Sequence, residues 1–498
     1  MDFETIIGLE VHAQLLTKSK MFCRCSADYA SAEPNTHVCP VCLGMPGVLP
    51  VINRQAIEYT IMTALALNCT VPEHTKFDRK NYPYPDLMKG YQISQYDSPI
   101  GLGGWLNVEV DGKQNKVGIT RVHLEEDVAK LFHRISPDGE DYSLVDVNRS
   151  GMPLMEVVSE PDLRSPEEAR QYLIKLRSIL RYLGVSTGNM EEGSFRCDAN
   201  ISIRPGNSTK LLAKVEVKNM NSFKAVYQAM EYEAQRQRKA AAEGKKLIQE
   251  TRGWVEEKGK TVSQRSKEYA HDYRYFPEPD LPPLAVSREW VEAIKAGLPE
   301  LPEARRDRFM TEYGLPLCDA DLLISSKATA DYEEEFIKEG KFLNMPKPEI
   351  AKLGSNWLLG EVNRIKNDNN IDTVDFSERV SPAKLAKLTS LVVKGIVSGT
   401  TAKPVLEDMF QTGKSADEII SQRGLSQISD TQQLEEVAAE VINSNAQPVA
   451  DYKAGKETAL KFLVGQVMKA TGGRANPSLV SEVLKKKLAE GLNTGEEG

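Results

Sequence analysis

The sequence predicts an α+β fold: a β-rich N-terminal domain, then a helical domain and a small helical C-terminal tail domain. A chain of 498 residues is too long for one hydrophobic core. The N-terminal part consists mainly of short stretches of alternating hydrophobicity, and beyond the proline-dense segment 273–283 the pattern becomes helical. We therefore expect domains at 1–292, 293–400 and 401–498.

Alternation of apolar and polar side chains predicts the strands. Over residues 8–14, the apolar side chains share one face while Glu10 and His12 lie on the other. The same two-residue period recurs at 121–125, 198–203 and 214–218. A helix is predicted over 165–183, because Ser165 is a good N-cap and Pro166 suits the first helical position.

Helices are also predicted beyond the proline-dense segment. One begins at Pro302, and two more cover 329–340 and 347–367. Short amphipathic helices separated by glycines follow residue 400. Residues 412–415 end like a phosphate-binding P-loop, but Asp408 replaces the earlier glycine, so we interpret the match as coincidental.

Composition excludes several classes of protein. The net charge of −8 argues against a generally basic nucleic-acid binder, although it leaves room for a local basic patch. No apolar run approaches the roughly 20 residues that cross a bilayer, so no membrane partner is expected. The acidic segment 1–5 does not resemble a secretory leader, and seven cysteines in so long a chain are no disulfide framework. These features predict a cytoplasmic protein.

Four cysteines form two close pairs, Cys23 with Cys25 and Cys39 with Cys42. This spacing predicts a tetrahedral thiolate site for an ion such as Zn²⁺. Because all four positions would be filled by protein, the predicted role is structural. The remaining cysteines, Cys69, Cys197 and Cys318, are expected to be small buried apolar residues.

The polar strand faces carry Glu10, His12, Glu125 and Glu216. Carboxylates that gather on one face need a compensating cation, and Mg²⁺ prefers oxygen ligands. Nearby cationic side chains would suit phosphate groups; they are Lys89, Arg196, Lys214 and Lys218. The alternative is a solvated outer face of an antiparallel sheet, because the alternation does not say which strands are neighbours.

The C-terminal segment has a local basic excess that could hold an RNA backbone. Its candidate contacts are Lys461, Lys469, Arg474 and Lys485. A solvated helical face is the alternative interpretation of these charges.

Taken together, several ordered segments resemble the B subunits of the glutamyl/aspartyl-tRNA amidotransferases, the GatB family. The segments that carry the resemblance are 7–15, 39–47, 79–87, 89–96, 145–156, 196–200 and 216–223. They follow the family's order, and the resemblance extends over nearly the whole chain.

The resemblance implies a cradle-like catalytic N-terminal domain and a carbon–nitrogen ligase that uses ATP and takes its amido group from glutamine. In this family, the B subunit phosphorylates the side-chain carboxylate of Glu-tRNA(Gln) or Asp-tRNA(Asn). Ammonia released by the amidase, which is the A subunit, then displaces phosphate to give Gln-tRNA(Gln) or Asn-tRNA(Asn). A small C subunit completes the heterotrimer.

The resemblance also implies residue roles. The expected catalytic residues and Mg²⁺ ligands are Glu10, His12, Glu125 and Glu216, with Mn²⁺ as a possible substitute because histidine is an atypical Mg²⁺ ligand. The expected nucleotide or phosphate contacts are Lys89, Arg196, Asp198, Lys218, Asn219 and Asn148. A different class of function is a zinc-bearing tRNA-binding adaptor of the same complex without catalysis, which would not need converging acidic groups.

Overall fold

The structure is a computed structural model that describes residues 3–206, 208–266, 273–425, 431–472, 475 and 477–493. The chain forms two compact units, Met1–Pro302 and Glu303–Gly498. The first unit is rich in β-sheet and the second is helical, which confirms the predicted α+β class.

The first unit contains the strands and four helices. The strands are β1 (Phe3–Gln14), β2 (His74–Thr75), β3 (Asp78–Asn81), β4 (Tyr91–Ser94), β5 (Gly101–Val110), β6 (Lys113–Glu126), β7 (Lys130–Ile135), β8 (Asp141–Asp146), β9 (Pro153–Ser159), β10 (Phe195–Pro205), β11 (Val215–Lys218), β12 (Glu250–Val255), β13 (Lys260–Ser266), β14 (Phe276–Pro277) and β15 (Leu284–Ala285). The helices are α1 (Arg54–Ala66), α2 (Pro166–Tyr182), α3 (Phe223–Ala242) and α4 (Arg288–Ala296).

The second unit contains the remaining helices. They are α5 (Pro302–Tyr313), α6 (Leu317–Ile324), α7 (Lys327–Glu339), α8 (Lys347–Trp357), α9 (Asn363–Asn369), α10 (Thr373–Arg379), α11 (Pro382–Val393), α12 (Gly399–Thr412), α13 (Ala416–Arg423), α14 (Thr431–Ser444), α15 (Ala446–Lys453), α16 (Glu457–Ala470) and α17 (Pro477–Asn493). A π-helical turn at Leu358–Val362 joins α8 to α9.

One large sheet positions the polar strand faces. Its order is β13-β12-β11-β10-β1-β9-β6-β4-β3-β14, with β5 paired to β6. Neighbouring strands are antiparallel except β11 and β12. The hairpin β7–β8 and the pair β2–β15 form separate two-stranded sheets. Strand β1 is therefore central, with β10 on one side and β9 on the other.

Burial explains why β1 and α2 form where the sequence predicts them. The apolar face of β1, including Leu9 and Val11, is fully buried in the first unit's core. Helix α2 also contributes to this core with the buried Tyr172. Its N-cap Ser165 accepts a hydrogen bond from the Glu168 N–H, as predicted from the sequence.

The helical unit contains two hydrophobic clusters. The first runs from Phe309 to Ile420, so it includes side chains of α12 and α13, and the second runs from Leu434 to Leu488. The predicted three-domain division stays a prediction. The P-loop-like segment is a helix junction, in which Gly413 ends α12 in a left-handed conformation and Ser415 caps α13.

No described helix is both long enough and apolar enough to cross a lipid bilayer.

Glu333, on α7, is fully buried. It packs closely against Gly354 of α8: a Cβ atom added to Gly354 would lie 2.7 Å from Glu333 Oε2. Burial raises the pKa of Glu333 well above its usual range, and a backbone hydrogen bond from Ser355 offsets only part of that effect. The folded chain therefore holds a proton that the unfolded chain releases. This group's contribution to stability is fully present below the unfolded pKa and is lost as pH rises toward the folded pKa.

We expect Glu333→Gln, which cannot ionise, to gain thermal stability relative to wild type as pH rises from about 5 to about 8. Each 1 kcal/mol corresponds to roughly 2–4 °C in a unit of this size. Melting curves across this range test the effect, with Glu335→Gln on the half-exposed face of α7 as the control. A gap between wild type and Glu333→Gln that does not change with pH contradicts the expectation.

Candidate active site and metal centre

The register of three neighbouring strands brings four ionisable side chains together. His12 on β1 is paired with Glu156 on β9, and Glu156 is paired with His123 on β6. Glu125 lies two residues beyond His123, so it shares the same face. Ligand atoms of His12, Glu125 and Glu156 all lie within 4.8 Å of one another.

Glu156 is held as an anion between two imidazoles. Its carboxylate lies 3.4 Å from His12 Nε2 and 3.2 Å from His123 Nε2. Burial alone would raise the pKa of Glu156, but the two histidines hold it well below its usual range. Burial alone would lower the pKa of His12. The nearby carboxylates of Glu156, Glu125 and Asp198 outweigh that effect and raise the pKa to about 9. The neighbouring carboxylates therefore favour the protonated form of His12.

Glu10 and Glu216 lie along the same face toward the β11 side. Glu10 accepts a hydrogen bond of 2.7 Å from Asn200 Nδ2. Glu216 accepts from Thr251 and lies 3.3 Å from Lys218 Nζ, which also contacts Asp198. Strands β11 and β6 are separated by three strands in the sheet, and Glu216 is not among the convergent ligand atoms of His12, Glu125 and Glu156. The predicted metal-ligand roles of Glu10 and Glu216 stay predictions. The polar face is thus an extended row, which we call the acidic row: Glu10, His12, Glu125, Glu156, Asp198 and Glu216.

Arg196 lies next to the acidic row, opposite His12 on β10. Its guanidinium donates to Asp127 over 2.9 Å, and Asp127 also accepts from Gln14. Burial alone would raise the pKa of Asp127, but Arg196 and Arg149 lower it. Arg196 is therefore fixed as a cation beside the row, in a position that suits an anionic ligand.

Lys80 and four tyrosines lie beside the Glu125 end of the row. The Lys80 ammonium is 5.0 Å from the Tyr273 ring centroid and 5.8 Å from that of Tyr82. Tyr275 stacks on Tyr96 with centroids 4.1 Å apart. Burial alone would lower the pKa of Lys80, but Glu125 and the tyrosines raise it. This cationic, aromatic wall was not predicted from the sequence.

Three of the predicted nucleotide contacts are not members of the acidic row: Lys89, Asn148 and Asn219. Lys89 pairs with Glu126 and lines a cavity of about 200 Å³ beside the cysteine loop, to which no member of the acidic row contributes. Asn148 is buried and accepts a hydrogen bond from the His37 N–H. Asn219 follows β11 in a left-handed conformation, with φ of 63°. The nucleotide roles of all three stay predictions.

The four cysteines meet as predicted, with sulfur atoms within 4.8 Å of one another and those of Cys39 and Cys42 3.9 Å apart. Tetrahedral zinc with bonds near 2.3 Å places thiolates about 3.8 Å apart, so the set fits Zn²⁺. The pKa of Cys42 is lowered to about 4, because Cys23, the Cys39 backbone N–H and Lys20 stabilise its thiolate.

The other three cysteines are expected to be buried. This expectation is confirmed for Cys69 and Cys197 and is wrong for Cys318, which is exposed on α6.

The donor set of the acidic row fits a hard divalent cation. Two carboxylates and one imidazole converge at His12, Glu125 and Glu156, and oxygen-rich sets with one nitrogen accommodate Mg²⁺ or Mn²⁺. His123 lies behind Glu156 and can orient it.

The sequence interpretation missed Glu156 and His123 as site residues. A lone carboxylate in the apolar stretch 153–158 requires a partner, and this was the available signal for Glu156. His123 shares the strand face of Glu125, which was the signal for the second residue.

In the C-terminal part, Lys461, Lys469 and Lys485 are exposed on α16 and α17. Arg474 lies outside the described residues. Exposed lysines are expected both in an RNA contact and on a solvated helical face, so the role of these three lysines stays a prediction.

The sequences of both the β-rich part and the helical part of the chain match known families. Residues 5–292 match the GatB/GatE catalytic domain, and residues 341–488 match the GatB domain. The B subunit of the aspartyl/glutamyl-tRNA(Asn/Gln) amidotransferase from Dehalococcoides mccartyi (strain CBDB1) is 63% identical over 489 residues, covering 98% of this chain and 99% of the relative. The protein of that name from Thermomicrobium roseum is 54% identical over 490 residues, with 98% and 99% covered. The chain therefore belongs to the GatB family, the B subunits of the aspartyl/glutamyl-tRNA(Asn/Gln) amidotransferases.

We expect Glu156→Gln to weaken binding of Mn²⁺ by at least the roughly 10- to 100-fold typical of losing an outer-shell partner, because it removes a buried negative ligand. Titration of the purified chain with Mn²⁺, followed by the loss of the free-ion electron paramagnetic resonance signal, measures this. Glu160→Gln, at an exposed position four residues along, is the matched control. Equal affinity in wild type and Glu156→Gln would remove Glu156 from the ligand set.

Proposed function

We propose that this chain is the ATP-dependent, amide-forming subunit of a tRNA-dependent amidotransferase. Its substrates are Glu-tRNA(Gln), Asp-tRNA(Asn) or both, and glutamine is the amido donor through a separate amidase. The observation that carries the proposal is the convergence of His12, Glu125 and Glu156 in a row flanked by cations. Phosphoryl transfer is achieved mainly by positioning and charge neutralisation, which such a row supplies.

The proposed reaction has two steps. A side-chain carboxylate oxygen of the aminoacyl group attacks the γ-phosphorus of ATP, the bond to the β-phosphate oxygen breaks, and ADP leaves. Ammonia then attacks the acyl carbon, the bond from that carbon to the phosphorylated oxygen breaks, phosphate leaves and the nitrogen loses a proton. Activation is necessary because an unmodified carboxylate would have to expel oxide.

The acidic row supports this chemistry through defined side chains. His12, Glu125 and Glu156 would hold the divalent cation, which when bound neutralises phosphate charge. Arg196 and Lys218 lie on the flanking strands β10 and β11 and are poised to contact phosphate oxygens once they exchange their present partners Asp127 and Asp198. The Lys80 wall adds positive charge at the Glu125 end.

The remaining expectations belong to the same proposal. ATP and Mg²⁺ or Mn²⁺ would act at the row, and structural Zn²⁺ at the cysteines. The partners in the heterotrimer would be the amidase, or A, subunit together with the small C subunit. The mischarged tRNA would be the third partner, with the C-terminal lysines as its contacts. A cytoplasmic location is part of this proposal. The relatives' shared name describes one subunit of an aspartyl/glutamyl-tRNA(Asn/Gln) amidotransferase, which supports a multi-subunit tRNA-dependent enzyme.

We expect Glu10→Ala to lower ATP-dependent formation of Gln-tRNA(Gln) or Asn-tRNA(Asn) by about 100-fold or more. The reconstituted complex is assayed with both mischarged tRNAs, and tRNA affinity is measured in parallel. Glu4→Ala, on the same strand but half-exposed and paired with arginines, is the control. Unreduced amidation by Glu10→Ala would favour the non-catalytic adaptor.

We expect replacement of Lys461, Lys469 and Lys485 by Gln to weaken tRNA binding. The slope of the logarithm of the binding constant against the logarithm of the salt concentration should become shallower by roughly 2–3, about one for each lysine. Substitution is preferable to truncation near residue 400, because the cluster of the helical unit extends to Ile420. The control neutralises three other exposed lysines of that unit: Lys338, Lys341 and Lys394. Equal losses in both triple variants would contradict a specific tail contact.

A further inference from the structure

Lys20 has an unusual position in the first unit. Its side chain is completely buried, yet it carries a cationic head. The ammonium donates to the His37 carbonyl over 2.8 Å and lies 3.7 Å from Cys42 Sγ. Among the residues that the structure describes, no carboxylate lies within 4.0 Å of the Lys20 ammonium. The cysteine cluster is therefore its anionic neighbour.

Burial makes this arrangement informative. An isolated buried ammonium costs several kcal/mol, so such groups are normally paired with carboxylates. Arg305, which is similarly buried, follows that rule with Asp331 and Glu334 as its partners. For Lys20 the compensating charge has to come from thiolate sulfur. Four thiolates around Zn²⁺ carry a net charge of −2, and one adjacent ammonium halves it.

The backbone fixes Lys20 in this place. Its N–H donates to the Cys25 carbonyl over 3.0 Å, and its own carbonyl accepts from Asn53 Nδ2. Gly151, with φ of 81°, packs over both partners: a Cβ there would lie 3.5 Å from Lys20 Cδ and 3.6 Å from Cys42 Cβ. The side chain therefore cannot swing toward solvent without disturbing the loop that carries the cysteines.

We propose that Lys20 is a positioning residue of the cysteine metal site, whose fixed positive charge balances the thiolates and slows loss of the metal ion. The proposal rests on the cluster holding zinc. Lys20 is not one of the four ligands, but mutation of groups next to metal ligands commonly changes metal affinity by about 10- to 100-fold. The competing role is a purely structural one, in which Lys20 only donates a hydrogen bond to the His37 carbonyl.

Four variants separate charge from hydrogen bonding. Lys20→Arg keeps the charge, Lys20→Gln keeps a donor without charge, and Lys20→Met removes both. Lys18→Met, two residues away and exposed, is the control. Zinc content per full-length chain is measured by elemental analysis, and the rate of zinc transfer to a chromogenic chelator gives the retention.

We expect Lys20→Gln and Lys20→Met to release zinc at least about 10-fold faster than wild type, with Lys20→Arg and Lys18→Met near wild type. In Co²⁺-substituted protein, loss of the nearby charge should move the thiolate-to-metal charge-transfer band to longer wavelength in the Gln variant and leave it in place in the Arg variant. If Lys20→Met does not fold, the Gln and Arg variants decide the question.

Two results overturn the proposal for different reasons. In the first, Lys20→Gln binds zinc, releases it at the wild-type rate and shows the wild-type charge-transfer band with Co²⁺. Lys20 would then have only the structural role. A wild-type chain that neither contains zinc nor takes up added Zn²⁺ overturns the metal site itself, and Lys20 with it.

Discussion

The pairing of β1 with β9 is the constraint on which the acidic row depends. In this register His12 faces Glu156, and the pairing of β9 with β6 brings His123 to the other side of the same carboxylate. Side chains alternate between the two faces of a strand, so a slip by one residue would turn His12 into the core and Val11 toward the row. The apolar face of β1 opposes that slip because it is completely buried. Core packing thus determines the geometry of the polar face.

The same register explains how so many acids coexist on one sheet. Each carboxylate of the row has a donor or cation beside it: Glu156 has two histidines, Asp198 has Lys218, and Glu10 has Asn200. A divalent ion and the proton on His12 are alternatives, because a ligating imidazole must be neutral. Binding of a divalent ion through His12 would therefore release a proton, and the charge of the ion would take that proton's place beside Glu125 and Glu156.

The sequence predicts local structure well and the site only in part. Alternation located β1, β6, β10 and β11, and capping residues located α2, because these signals act within a few residues of the chain. It could not show that β9 lies between β1 and β6, since pairing is set by long-range packing. For that reason the sequence interpretation does not include Glu156, which contacts His12, among the site residues. Glu216 enters the ligand set through the family resemblance, and its role stays a prediction. The cysteine cluster was predictable because its ligand spacing is itself local.

The cysteine cluster and the acidic row are joined by one short turn of the backbone. The His37 N–H donates to Asn148, and the Met21 N–H donates to the Gly151 carbonyl, so the cysteine loop is tied to residues 147–151. The Gly151 N–H in turn donates to the Asp127 carbonyl, while the Asp127 carboxylate holds Arg196 beside the row. Hydrogen bonds therefore connect the cysteine loop to the residue that holds Arg196, Asp127, which is the arrangement expected of a scaffold and not of a reaction centre.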